Sequence, residues 1–355
     1  MAAEPLSRPG AFLITVDAEG DNLWAKPRSI TTRNARYLPR FQSLCEKHGL
    51  LPTYLTNWEM ANCPAFVEFA RDAMARGACE IGMHLHAWNS PPIVPLTADD
   101  DRHAPYLIEY PESAMREKIN VMTAKLEDVF GQKTLSHRAG RWSFNEMYAR
   151  LLIEHGYGVD CSVTPHVSWR FCKGDPARDG GSDFSDFPES AYFVDPQNIR
   201  RPGESSLLEI PMTIVKTRAF PRPVQVIRRR LSGSFYGTII MRRLFPDHAW
   251  LMPNGRNGQS MLEAIRTAKA QARPYIEMAI HSSELMPGGS QTFATADSIE
   301  KLYDDLESLF SAAATDYTGC TLSQYRERME KSPPNDPSGP RSLERFFQGE
   351  RSRRG

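Results

Sequence analysis

Seven short strand-like runs, spaced along the chain with amphipathic or polar stretches between them, most restrict what this 355-residue sequence can fold into. They are Ala11–Val16, Pro52–Thr56, Ile81–His86, Lys133–Arg138, Gly158–Val163, Leu207–Val215 and Tyr275–Ile280. Each is too short for a typical helix, and most are rich in β-branched or aromatic residues, so they read as strands. Ala11–Val16 is a continuous apolar run, the pattern of a strand covered on both faces. The intervening segments carry apolar residues at helical spacing. Examples are Leu38, Phe41, Leu44 and Cys45; Phe66, Phe69, Ala70, Ala73 and Met74; Met115, Ile119, Met122, Leu126 and Val129; and Leu302, Leu306, Leu309 and Phe310. Gly49, Gly77 and Gly156 fit helix stops, and Pro39 shifts the start of the first helix towards itself. Repeated strand–helix alternation implies an α/β fold with a parallel sheet, either a closed barrel or an open doubly wound sheet. In both, functional side chains gather at the C-terminal ends of the strands.

The regular order breaks twice. From Pro165 to Ser206 the chain is rich in Gly, Pro, Asp and Ser, an irregular insertion of a length usually tied to function or disorder. Pro211 interrupts the Leu207–Val215 run and suggests an edge or a bulge. The expected organisation is one barrel domain over residues 1–315, followed by a polar tail over 316–355. Lysine plus arginine equals aspartate plus glutamate at 43 each, so bulk charge gives no reason to expect a nucleic-acid partner. Six cysteines without a CxxC pair read as reduced thiols, and MAAEPLSRPG lacks the apolar core of a signal peptide; both suggest a cytoplasmic location. One local excess of charge, Lys216 to Arg243, mixes arginines with Ile227, Leu231, Phe235 and Tyr236. It is a candidate for peripheral membrane contact or for a phosphate-bearing sugar carrier, or else a solvated insertion.

Polar residues stand where the strands should end. Asp17 and Glu19 follow the first strand, His84 and His86 end the third, Arg138 ends the fourth, Asp160 lies on the fifth and His281 follows the seventh. Positions i and i+2 of a strand share a face, so His84 and His86 can point at one metal ion, and neutral imidazole is a common zinc ligand.

These stretches resemble the motifs of the polysaccharide deacetylases, the NodB-homology proteins of carbohydrate esterase family four. Thr15-Val16-Asp17-Ala18-Glu19-Gly20 resembles the first motif, Ile81-Gly82-Met83-His84 the start of the second, and Arg138-Ala139-Gly140-Arg141-Trp142 the third. Asp160 with Ser162 falls in the region of the fourth, and Ile280-His281-Ser282-Ser283-Glu284-Leu285 resembles the fifth. Two departures stand out. Ala18 occupies the place of the second of two adjacent acids, and Trp88 occupies the place of the second histidine.

The resemblance implies a distorted (β/α) barrel of about seven parallel strands with outer helices. It also implies metal-dependent hydrolysis of an N-acyl amide, most naturally N-acetyl, on a sugar of a surface-polysaccharide precursor. On that basis Glu19, His84 and His86 would hold a divalent ion such as zinc, Asp17 would act as general base and His281 as general acid. Arg138 would orient Asp17 through a bidentate pair, and Asp160 would hold His281 or Arg138. Backbone N–H groups near Arg141 or Trp142 would face the oxyanion, and Trp88, Trp142 and Trp169 are candidates to stack on a sugar. Two alternatives stand beside this reading: hydrolysis of a small cyclic amide, and a catalytically inactive carbohydrate-binding protein.

Overall fold

In a computed structural model of the protein, residues 9–216, 226–227, 230 and 248–331 are described. The strands are β1 (Gly10–Ala18), β2 (Pro52–Thr56), β3 (Glu80–Leu85), β4 (Ser136–Ala139), β5 (Val159–Asp160), β6 (Tyr192–Phe193), β7 (Leu208–Glu209), β8 (Ile214–Lys216), β9 (His248–Trp250), β10 (Tyr275–His281) and β11 (Tyr317–Gly319). The helices are α1 (Leu38–Lys47), α2 (Trp58–Ala61), α3 (Pro64–Ala75), α4 (Asp100–His103), α5 (Glu112–Phe130), α6 (Glu146–Glu154), α7 (Gly258–Ala270), α8 (Ala296–Ala313) and α9 (Leu322–Lys331). Pro39 lies in the first turn of α1, where its missing N–H leaves no intrahelical bond unmade.

One curled sheet runs β10-β1-β2-β3-β4-β5-β7-β6. All neighbours along it are parallel except β6, which pairs antiparallel with β7. The seven parallel strands from β10 to β7 form the distorted barrel that the sequence implies. The gap between β7 and β10 is bridged by irregular chain. Met212 N–H donates to Val163 O (2.9 Å), Leu251 N–H to Thr213 O (3.3 Å) and Ala279 N–H to Leu251 O (3.0 Å). Leu207–Val215 is therefore two strands rather than one: β7 stays in the barrel, and β8 pairs antiparallel with β9 in a separate ribbon. Pro211 lies at the break, where a residue without an N–H cannot extend a ladder.

Side chains alternate between two faces along β1. Phe12, Ile14 and Val16 join Phe41 and Phe310 in the layer between sheet and helices. Ala11 and Leu13 instead join Leu55, Val159, Leu208 and Tyr275 in a second cluster, the lower interior of the barrel. Thr15 and Asp17 continue that inner column upward. Gly82 lies on β3 two residues before His84, and a Cβ there would sit 2.8 Å from Ser136 O and 2.7 Å from Leu55 Cδ2, so only hydrogen fits.

The end of the chain departs from expectation. Residues 317–331, assigned by sequence to a polar tail, belong to the barrel. β11 pairs with Gly10–Phe12 of β1, below the point where β2 begins to pair at Ile14. Leu322, Tyr325 and Met329 of α9 fill the lower interior cluster. The composition of α9 is polar on average, and three buried residues on one face are enough to dock it. The remainder of the expected tail, and the basic segment beyond Lys216 apart from Val226, Ile227 and Arg230, lie outside the described residues. Among the described residues no helix is long and apolar enough to cross a membrane.

Leu322 is fully buried, so Leu322→Ala should cost about 2–5 kcal/mol. Thermal or urea unfolding will measure this; a change below about 0.5 kcal/mol, typical of surface substitutions, would show that α9 does not plug the barrel.

Candidate active site

Register sets the site. Pairing of β1 with β10 places Asp17 beside His281, and pairing of β3 with β4 places His84 beside Arg138. All four sit at the C-terminal ends of parallel strands, at one end of the barrel.

Glu19, His84 and His86 converge at that end and are buried. His84 Nε2 lies 3.0 Å from His86 Nε2, and Glu19 Oε2 lies 3.1 Å from His86 Nε2 and 3.6 Å from His84 Nε2. Each atom offers a lone pair, and three such atoms do not face one another at these distances without positive charge between them, either a proton or a cation. His84 Nδ1 lies 3.0 Å from Arg138 O, so its N–H is fixed there and Nε2 is the free ligand atom. Glu19 Oε1 is buried with no partner among the described residues, a further oxygen able to ligate. Two imidazoles and one carboxylate suit a zinc-like ion and leave positions open for water and substrate. The donor set therefore fits a divalent metal. Trp88 supplies no ligand; its ring packs edge-on against His86 at 5.5 Å.

Arg138 is buried beneath this group. One guanidinium nitrogen donates to Asp17 Oδ1 (2.7 Å), and the other donates to Thr15 Oγ1 (2.7 Å) and Glu277 Oε1 (2.5 Å). The expected bidentate pair with Asp17 is thus divided between two carboxylates. Asp160 does not hold His281 or Arg138. Its Oδ1 is 2.6 Å from His137 Nδ1, and it accepts from Ser162 N–H (3.0 Å) and Ser162 Oγ (2.9 Å). It braces the neighbouring strand ends instead, because its side chain and that of Arg138 leave the sheet at different positions in the register, His137 being the residue opposite Asp160.

His281 meets two carboxylates. Its Nε2 is 3.9 Å from Asp17 Oδ2, and its Nδ1 is 3.2 Å from Glu284 Oε2, which also accepts the His281 backbone N–H at 2.9 Å. Glu284 is thus both a cap of the turn after β10 and the imidazole's partner.

Sequence reading missed three supports. Glu277 looks like one polar residue in an apolar strand, yet it anchors Arg138. Glu59 Oε1 accepts from Gly20 N–H (3.1 Å) and Glu59 Oε2 from Asn89 Nδ2 (2.9 Å), tying the turn after Glu19 to the turn after His86. Ser282 Oγ donates to Glu19 O and accepts from Glu19 N–H, both at 3.1 Å. The position of Ser282, immediately after His281, was the one available signal.

The charges follow. Burial penalises the Asp17 carboxylate, but Arg138, His84 and His281 together outweigh it and hold Asp17 below the usual range. Burial likewise opposes ionisation of Glu19, and hydrogen bonds from His84 and His86 reverse this. Burial lifts Glu277 to about 7 against the pull of Arg138. Burial would lower His281, but Glu284, then Glu19 and Asp17, raise it to about 10. The site therefore carries an ionised carboxylate and an imidazolium side by side at neutral pH.

Two consecutive residues at the rim, Arg141 (φ 56°) and Trp142 (φ 58°), are left-handed, a conformation costly for side-chain-bearing residues and concentrated at functional sites.

The metal reading is open to direct measurement. His84→Ala should abolish stoichiometric binding of divalent metal, and unchanged metal content would remove the assignment. Asp17 and Glu19 raise the His84 pKa of the metal-free protein against burial, so a cation must displace a proton. Apparent metal affinity should be full above that raised pKa and fall as pH drops through it, in a chelator competition.

No family profile and no curated protein matches the sequence. Solved structures do resemble it. A Mycobacterium smegmatis protein described as a polysaccharide deacetylase has a TM-score of 0.52 at 15% identity, over 93% of this chain and 94% of that one. A Parabacteroides distasonis protein described as a glycoside hydrolase/deacetylase has a TM-score of 0.54 at 11% identity, over 93% and 74%. A 4-alpha-glucanotransferase from Thermococcus litoralis has a TM-score of 0.50 at 13% identity, over 90% of this chain but 40% of that one. With a barrel of seven parallel strands whose C-terminal ends carry the polar cluster, and with these neighbours, the chain has the polysaccharide-deacetylase fold.

Proposed function

We propose that this protein is a metal-dependent amide hydrolase that removes an acyl group, acetyl foremost, from an N-acylated sugar in a surface-polysaccharide precursor. The observation that carries the chemistry is the pairing of Asp17 and His281 across adjacent strands, 3.9 Å apart and oppositely charged, beside the Glu19–His84–His86 cluster. What supports the sugar is the motif resemblance together with the fold.

When bound by Glu19, His84 and His86, a divalent cation supplies Lewis-acid polarisation of the acyl oxygen and lowers the pKa of a water. Asp17, kept ionised by Arg138, takes a proton from the attacking water as general base, a role typically worth roughly 10²–10⁴-fold. His281, kept protonated by Glu284, gives a proton to the leaving nitrogen. The oxyanion is assigned to backbone N–H groups at Arg141 and Trp142, whose left-handed turn aims successive amides alike. Arg138 acts through Asp17 and is a positioning residue. A base and an acid held in opposite protonation states favour an enzyme over a carbohydrate-binding protein that lacks turnover.

The pH profile of kcat/KM should be bell-shaped. Asp17 is ionised above its lowered pKa, and the acidic limb reports the coupled Asp17–His84 system. Activity is lost on the alkaline side as pH rises through the pKa of His281, about 10 without a cation and lower with one, because like charges repel. Glu284→Gln should move the basic limb down towards the ordinary imidazole range, and an unmoved limb would take the general-acid role from His281.

Asp17→Asn should keep stoichiometric metal yet lose at least about 100-fold in kcat, measured as amine released from an N-acetylated sugar. Loss of metal in that variant would exchange the roles of Asp17 and Glu19. Ring opening of a cyclic amide to a linked carboxylate and amine, without amine from any N-acetyl sugar, would favour the cyclic-amide reading.

A further inference from the structure

Beside the cluster stands a tryptophan that no motif includes. Trp24 occupies a single turn, Leu23–Ala25, between two left-handed residues, Asn22 (φ 48°) and Lys26 (φ 51°). Leu23 is buried and anchors the turn, whereas Trp24 is 52% exposed. The Trp24 ring lies edge-on to His281 at 5.9 Å between centroids, and the Arg141 guanidinium lies 5.6 Å over it.

The loop that carries Trp24 is firmly closed at its neck. Asp21 N–H donates to Thr31 O at 2.7 Å. The Asp21 carboxylate accepts from Thr31 Oγ1 (2.7 Å), Arg33 N–H (3.1 Å) and Nε (3.1 Å), and Asn34 N–H (2.9 Å) and Nδ2 (2.7 Å). At the far side Lys26 Nζ donates to Asp101 O (3.1 Å), and Arg141 donates to Asp101 Oδ1 (2.9 Å). A loop so pinned holds its exposed indole at a fixed distance from the proposed general acid.

A half-exposed tryptophan forgoes much of the stabilisation that burial of its large apolar surface would give. Leu23 already anchors the turn, so packing does not account for Trp24. Two polar atoms of residues neighbouring Trp24, Arg141 Nε and, at the start of its turn, Asn22 Oδ1, are buried without a hydrogen-bond partner among the described residues. One is a donor and the other an acceptor. A half-exposed apolar ring with an unused donor and an unused acceptor on neighbouring residues matches a pyranose ring, which presents C–H groups on its face and hydroxyls at its edge.

We propose that Trp24 is the stacking platform for the sugar ring that bears the acyl group, with Arg141 and Asn22 meeting that ring's hydroxyls. This rests on the reading of the site as a sugar N-deacylase. Trp24 acts here on recognition, in KM and in the choice of a sugar over other amides, while Asp17 and His281 perform proton transfer. The platform is preformed, which lowers the ordering cost of binding.

The test uses N-acetylglucosamine and its β-1,4-linked trimer as probes of wild-type protein, Trp24→Ala and Trp24→Phe. Affinity is read by saturation-transfer NMR and by tryptophan fluorescence, turnover by amine release, and metal content alongside. Trp24→Ala should weaken binding and raise KM about tenfold, the order expected for loss of one aromatic contact face. Trp24→Phe should restore most of that affinity, and metal content should not change. Affinity and KM in Trp24→Ala within about twofold of wild type overturn the platform, and so does absence of binding of both probes to wild type. Trp24-dependent binding with no amine release from any protein leaves the platform standing and defeats the proposed reaction. Amine release with an unchanged KM in Trp24→Ala does the reverse.

Discussion

The structure depends on one buried cation. Arg138 has no exposed surface, and its guanidinium is shared among Asp17, Thr15 and Glu277, with its Nε donating to Cys161 O at 3.2 Å. A guanidinium cannot shed its proton at accessible pH, so its neighbours must carry the compensating negative charge. Loss of one partner from such a buried pair typically costs about 3–5 kcal/mol, because it strands a charge away from water. The layer is therefore committed to its composition. Below it lies the apolar cluster that α9 joins, with Thr53 and Glu80 accepting the first N–H groups of α9; above it the interior carries the polar cluster. Arg138 is the boundary between the packed core and the candidate site.

That boundary explains the opposing pKa directions above it. Asp17 faces Arg138 and stays ionised. His281 faces away from it, towards Glu284, and stays protonated. Burial penalises both charged forms, so each needs a specific counter-charge. The sheet supplies these from different strands: Arg138 from β4, and Glu284 from the turn just after β10. Glu277, with the surplus negative charge of the layer, is the group lifted towards neutrality.

Much of this was legible in the sequence, for a physical reason. Strands buried on both faces must be apolar, so polar residues at their ends have no structural excuse and stand out, as Asp17, His84, Arg138 and His281 do. Glu19 and His86 were legible through the two-residue period. What sequence hid was pairing. Glu277 and Asp160 both sit on strands and both look able to reach Arg138, and only the register decides between them. Residues 317–331 were hidden because α9 is polar on average and docks through three side chains. Trp24 was hidden because it lies outside every motif, in a turn whose position relative to His281 depends on the closed neck at Asp21.

The strand order carries a consequence for synthesis. β1 is made well before its partners β10 and β11, with Glu19 and Ser282 263 positions apart. Contacts of such separation form late, after their loop-closure entropy has been met. A nascent chain emerging from the ribosome thus carries Glu19, His84 and His86 long before His281 exists to stand beside Asp17. The proposed ligands come first and the proposed proton donor last, so an unfinished chain carries the Glu19–His84–His86 group but cannot complete the proposed acid–base pair.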